Sequence, residues 1–149
     1  MIMDSTLEML DAVAINTGGA GTYLLGSQID TSVVRDIGQG KPVYLIIEVD
    51  TACASATGTL QLKLASDSSA AIATDGTASE HWVSDTFLQA ALTAGKYWVV
   101  PLPAGNALPY ERYLGILQVT GTAAFTAGKL NAFLTLDPFG WKAYADATN

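Results

Sequence analysis

Residues 95–137, GKYWVVPLPAGNALPYERYLGILQVTGTAAFTAGKLNAFLTLD, decide the fold. Three apolar runs, at 97–102, 113–119 and 129–136, are each about a strand long and are separated by turns rich in Pro, Gly and Asn. Tyr, Trp, Val, Ile, Phe and Thr crowd them, the residue types that suit a half-buried pleated surface. In the third run Leu130, Ala132, Leu134 and Leu136 fall on one face, and Lys129, Asn131, Phe133 and Thr135 on the other. That period of two is a strand signal; a helix would scatter the set around its axis. Gly121 and Gly128 flank a small-residue loop, so the last two runs are expected to form an antiparallel hairpin.

The same alternation recurs upstream. Val43, Leu45, Ile47 and Val49 face inward along residues 42–50, with Tyr44, Ile46, Glu48 and Asp50 facing out or toward a second layer. Leu60, Leu62 and Leu64 do the same along 59–65, and the small polar stretch between predicts a second hairpin. Residues 23–25 fit a short strand, 31–37 an irregular piece, and 36–42, DIGQGKP, a turn. Residues 66–79 read as a surface loop with at most a short strand at 70–73. Residues 81–92 fit a helix or a strand, and their neighbours favour β.

Residues 1–15 fit either a helical stripe (Met3, Leu7, Leu10, Ala14) or a weak edge strand, before NTGGAG breaks regular structure. The expected organisation is an extended N-terminal arm over 1–21, a sandwich domain over 22–137 and a C-terminal aromatic tail over 138–149. About eight strands with few or no helices mean an all-β fold, a jelly-roll-like antiparallel β-sandwich. Val43, Leu45, Ile47, Leu60, Leu62, Leu64, Trp98, Val100, Leu130 and Leu134 should line its core.

Composition narrows the function. Half of the 149 residues are hydrophobic and only 14% are charged, a lean charge complement that suits a surface partly covered by other subunits. The net charge is −7, and the seven basic residues are spread singly. Nucleic-acid binding needs clustered Lys and Arg, so no direct nucleic-acid partner is expected, and an anionic membrane surface is disfavoured for the same reason. No run approaches a membrane span, and the opening MIMDSTLEMLDAV lacks the basic n-region of a signal peptide. The lone Cys53 excludes an intramolecular disulfide and a cysteine-based zinc cluster.

Catalytic signals are weak. His81 is the only histidine, and Ser79, Glu80, Ser84 and Asp85 are near it in sequence without forming a site by that alone. A surface or loop histidine is the plainer reading. Cys53 sits between alanines with no basic neighbour to activate it, and reads as small-residue filler in a turn. Glu48 with Asp50, and Glu80 with Asp85, carry nothing that marks them as a glycosidase pair. No enzyme activity, metal or cofactor is expected. Trp82, Trp98 and Trp141 suggest an alternative, a carbohydrate-binding jelly-roll module of a phage or bacterial surface protein.

Several features taken in order resemble the jelly-roll capsid cement (decoration) proteins of short-tailed phages. They are the N-terminal Met-Ile-Met-Asp arm, the DIGQG turn before strand 42–50, the strand from Thr59 ending in Ser66-Asp67, and the run from Gly95 to Pro101-Leu102-Pro103. Arg112-Tyr113-Leu114 and the closing strand ending at Asp137 complete the set; Gly115 stands where that pattern often has a basic residue. The resemblance implies a structural virion protein that dimerises on the outside of the capsid and stabilises it by bridging the major capsid protein. It also implies assembly in the bacterial host cytoplasm. The expected contact devices are the chain ends, through Ile2, Met3, Leu7, Leu10, Phe139, Trp141 and Tyr144, with Arg112 joining them.

Overall fold

The computed structural model describes residues 5–34, 37, 40–104 and 107–138. Nine strands occur among them: β1 (Glu8–Ala14), β2 (Gly21–Asp30), β3 (Tyr44–Ser55), β4 (Thr59–Asp67), β5 (Ser79–Val83), β6 (Phe87–Leu88), β7 (Tyr97–Pro101), β8 (Tyr113–Gly121) and β9 (Phe125–Thr135). Short 3₁₀ turns at Ser5–Leu7 and Gln89–Ala91 are the helical elements among these residues.

The strands form two antiparallel sheets. One has the order β1-β9-β3-β7; the other has β2-β8-β4-β5, with β6 also paired to β4. The first half of the chain pairs with the second: β1 with β9, β2 with β8, β3 with β7, and β4 with β5 and β6. This is a long antiparallel ribbon rolled into two layers, the jelly-roll arrangement. Leu45, Ile47 and Val49 of β3 and Leu130, Ala132 and Leu134 of β9 meet Leu60, Leu62 and Leu64 of β4 and Leu114 and Ile116 of β8 between the sheets. The alternating positions expected to point inward do so, with Val43 and Trp98 packed at the margin of the core.

Neither expected hairpin forms. Strands β8 and β9 lie in opposite sheets, as do β3 and β4. The turns at 56–58 and 122–124 carry the chain across the core from one layer to the other, and they are fastened together. Ser55 Oγ donates to Ala124 O (2.8 Å) and accepts from Gly58 N–H (2.9 Å).

Other boundaries also differ. Strand β2 runs ten residues rather than three, and β3 continues through Cys53, which is a buried core residue and not turn filler. Residues 70–73 form no strand, and 81–92 divide into the end of β5, β6 and a 3₁₀ turn. Ser84 breaks that edge, its Oγ accepting from Leu62 N–H (2.9 Å) and donating to Asp85 O (2.7 Å).

The segment expected to be an arm contributes β1, an edge strand irregularly paired to β9, with Met9 and Leu10 in the core. A close approach makes this possible. Gly26 has φ +58 at the irregularity in β2, and a Cβ there would collide with the Met9 carbonyl and the Leu10 side chain. Buried Gln118 ties the following turn down: Asn16 N–H donates to its Oε1 (2.7 Å), and its Nε2 donates to Asn16 O (3.0 Å) and Thr120 Oγ1 (2.7 Å).

The loop between β4 and β5 covers the outer face of its sheet. Ile72 and Ala78 pack with Ala65 and Leu117 in a second small cluster. Gly115 leaves room for it, because a Cβ there would sit 2.8 Å from Ile72 Cδ1.

Candidate contact site at one end of the sandwich

The antiparallel order brings the start of β1, the end of β2, the starts of β3 and β8 and the end of β9 to one end of the sandwich. Between them lies an apolar cavity of about 290 Å³, lined by Leu7, Ile29, Thr31, Ile37, Val43, Leu114, Leu134, Thr135 and Leu136. Leu134 closes its floor as the last inward residue of β9. Leu136 shares the face of Leu130, Ala132 and Leu134 in the alternation, but β9 ends at Thr135, and Leu136 is 53% exposed at the rim. Leu7 is also exposed there, and Val33 and Val34 are exposed in the loop after β2. Isolated apolar side chains on a surface are ordinary; a cluster around a concave apolar site is a candidate contact surface.

The expected contact residues divide accordingly. Leu7 lies at the site. Leu10 does not: it is fully buried beneath the β1 bulge and is a core residue, unavailable to a partner. Ile2, Met3, Phe139, Trp141 and Tyr144 lie outside the described residues. Arg112 immediately precedes β8 and grips the end of β2. Its Nε and Nη2 donate to Asp30 Oδ1 and Oδ2 (2.8 and 2.9 Å), a two-pronged pair on an exposed surface. That guanidinium holds the Asp30 carboxyl at a pKa of about 2, helped by Ser32 N–H. The Arg112 carbonyl accepts from Thr31 N–H and Thr31 Oγ1. The fork and these bonds brace the cavity wall.

Ile29, Ile37, Val43, Leu114 and Leu136 escaped the sequence reading as a site, because they come from distant segments that only the topology assembles. Val33-Val34 was a legible signal: two adjacent valines in an irregular stretch have no core to serve.

A second polar cluster lies nearby. Ser66 Oγ is 2.7 Å from His81 Nε2 and accepts from Glu111 N–H (2.9 Å), while Ser79 Oγ donates to Glu111 Oε1 (2.9 Å). His81 is therefore neither a free surface nor a loop residue. It sits on β5, half-buried against the Tyr110 ring, and burial pushes its pKa down. The trio of residue types resembles a hydrolytic triad, but the arrangement does not work as one. Ser66 has no exposed surface, and Glu111 is engaged by Ser79. The cluster fastens the end of β4 to the approach to β8.

Cys53 is buried, and desolvation pushes its thiol up to about 11, the reverse of an activated nucleophile. Among the described residues, no group of three or more His, Cys, Asp or Glu side chains is placed to hold a metal ion. Trp98 and Trp82 pack against the core, and Trp98 also meets Phe87 and Lys96. No helix among the described residues is long and apolar enough to cross a membrane.

The strand order defines a jelly-roll β-sandwich with an apolar cavity at one end. The chain belongs to the Bbp16 family, whose model matches residues 11–134, from within β1 to the penultimate residue of β9. The family's name is of the phage-protein type. No curated protein matches the chain.

Proposed function

We propose that this protein is a capsid cement protein, a structural virion component that binds the outside of the major capsid protein shell and stabilises it. The observation that carries this reading is the apolar cavity ringed by exposed Leu7 and Leu136, with exposed Val33 and Val34 on the loop after β2. Such a site suits an apolar side chain or short segment of a protein partner. The phage-type family and the resemblance of the Arg112-Tyr113-Leu114 region to cement proteins supply the partner's class. Each buried large apolar side chain is worth roughly 1.5–3 kcal/mol, and repetition over a shell turns weak contacts into durable attachment. A homodimer on the capsid surface would present two such sites per attached unit. On this reading the protein is not an enzyme, needs no cofactor, and is located on the virion.

The test is co-sedimentation of the purified protein with shells assembled from the major capsid protein of its phage. Wild type should pellet with the shells and raise their resistance to heat. Leu136→Asp and Val34→Asp should remain folded by circular dichroism and stay in the supernatant. Undiminished binding by both folded variants would overturn the assignment of the contact end; no binding by wild type would overturn the capsid reading. The carbohydrate alternative has no comparable support, since two of the three indoles are committed to packing.

A further inference from the structure

Away from the cavity end, the exposed large apolar side chains include Tyr97 and Val99 of β7, at 55% and 40% exposure. Trp98 and Val100 pack with the core, so Tyr97 and Val99 share the outer face of the sheet. Among the described residues β7 closes that sheet, with β3 as its neighbour there. The ladder between them has a fixed parity. Leu102 N–H donates to Val43 O (2.9 Å), so Val100 and Trp98, opposite Leu45 and Ile47, also bond toward β3. Val99 lies between them, opposite Ile46, and its N–H and C=O point the other way, out of the sheet edge.

Edge strands are ordinarily guarded against association by Lys, Pro or a bulge. On β7 such residues stand at the two ends. Pro101 is its last residue. Lys96 precedes its first, and the ammonium is turned onto the Phe87 and Trp98 rings, 4.3 and 5.3 Å from their centroids. Between them runs Tyr-Trp-Val-Val, uncharged residues of high strand preference in a chain of net charge −7.

We propose that β7 is an interaction surface for a second copy of this chain, the two β7 strands pairing antiparallel about a dyad at Trp98. The edge is complementary to itself in that register. Tyr97 of each copy meets Val99 of the other on the outer face, an aromatic–β-branched cross-strand pair, and both exposed side chains gain a cover. Val99 N–H of each copy donates to the other's Tyr97 carbonyl. Pro101, which has no N–H to give, falls beyond this ladder. A dyad at Val99 would instead set its ring against Tyr97 in a bonding position. The flanking lysines keep to their own rings, so their charges stand off the dyad. An isologous pair of this kind joins the two β1-β9-β3-β7 sheets into one. Because the strands run opposite ways, the two cavity ends, each beside the end of β7, lie at opposite ends of the pair. The seam is short, smaller than the roughly 1,000 Å² of a stable interface, so association is weak and concentration-dependent.

The pairing is a property of the free chain, so its failure leaves the capsid reading standing. Tyr97→Cys and Val99→Cys proteins, each folded by circular dichroism, are oxidised separately and as a mixture at high concentration. Opposed residues of a bonded pair have Cα atoms about 5.5 Å apart, within disulfide reach. Two copies of position 97, or two of position 99, are diagonal, about 7–8 Å apart and beyond it. The mixture should give a dimer linking one variant to the other, and the linked product should be lost in each variant alone. Cys53 is buried and stays out of the exchange. In sedimentation the mass of the wild type should rise with concentration, and Val99→Lys should abolish the rise. A mixture that yields no linked dimer, or variants that cross-link as fast alone, would overturn the proposal. So would a rise that Val99→Lys leaves intact. A wild type that stays monomeric at every concentration would overturn it too, and shell binding lost with Val99→Lys would then assign the edge to a strand of the shell protein.

Discussion

The His81 ring stacks on Tyr110 with centroids 3.8 Å apart and planes 20° from parallel. Tyr110 is fully buried in the core, and its hydroxyl donates to Pro103 O at 2.8 Å. The stack joins the β5 edge to the loop that leads into β8, and Ser66 locks its far side.

His81 gives stability a pH dependence of definite sign. Burial lowers its folded pKa below 6.5, with nearby Glu111 opposing the shift. The unfolded chain therefore takes up a proton first as pH falls. The contribution is fully present above pH 6.5 and is lost as pH falls from there through the folded value. The thermal unfolding temperature should fall between pH 7.5 and 5. His81→Phe, which keeps a ring over Tyr110, should reduce that slope. An unchanged slope in the variant would show that other groups set it.

Gly115 and Ile72 form a testable pair. A side chain at position 115 must displace Ile72 from the outer face, at a cost of about 1–3 kcal/mol for overpacking. Gly115→Val should lower stability by that amount and speed amide exchange in the loop between β4 and β5. In an Ile72→Ala background the same substitution should cost markedly less, because the clash is already gone. Equal costs in both backgrounds would mean that the strand itself demands glycine.

The strands were more legible in the sequence than their partners. Alternation along β3, β4 and β9 fixed which residues point inward, and Leu45, Ile47, Leu60, Leu62, Leu64, Leu130 and Leu134 are all core residues. It could not say which sheet each strand joins. A hairpin and a turn that crosses the core leave the same inward pattern, since both strands face the same interior. What distinguishes them here is the Ser55–Ala124 and Ser55–Gly58 bonding between two crossing turns, a contact with no local signature. Leu10 failed as a contact residue for a related reason: irregular pairing at β1 lets Met9 and Leu10 both turn inward, against strict alternation. At the site, the exposed Val33-Val34 pair was readable; the cavity, assembled from distant segments, was not.

Cys53 provides a probe of global opening. Its thiol is buried beside Ile15 and Gly128, and its pKa is raised to about 11 by desolvation. At pH 8 the native protein should react with a disulfide reagent far more slowly than an unfolded control, at a rate that tracks unfolding. Rapid reaction under native conditions would reveal local opening of the far end of β3.

The Arg112–Asp30 fork makes the last prediction. Asp30 titrates near 2 in the folded chain against 3.8 ordinarily, so the pair stays charged through most of the acid range. Its contribution is present above the ordinary carboxyl value and lost as pH falls toward 2. Because both side chains are well exposed, the effect on overall stability should be small and weakened by salt. The local effect should be larger, since Arg112 also braces the loop carrying Val33 and Val34 through Thr31. Arg112→Lys keeps the charge but loses the planar fork. It should raise the Asp30 pKa measured by carboxyl NMR and weaken shell binding by increasing the mobility of that loop, with little change in melting temperature. Arg112→Gln should do both more strongly. If shell binding instead survives Lys and fails only with Gln, positive charge at residue 112 is what the partner reads, and Arg112 is a direct contact rather than a brace.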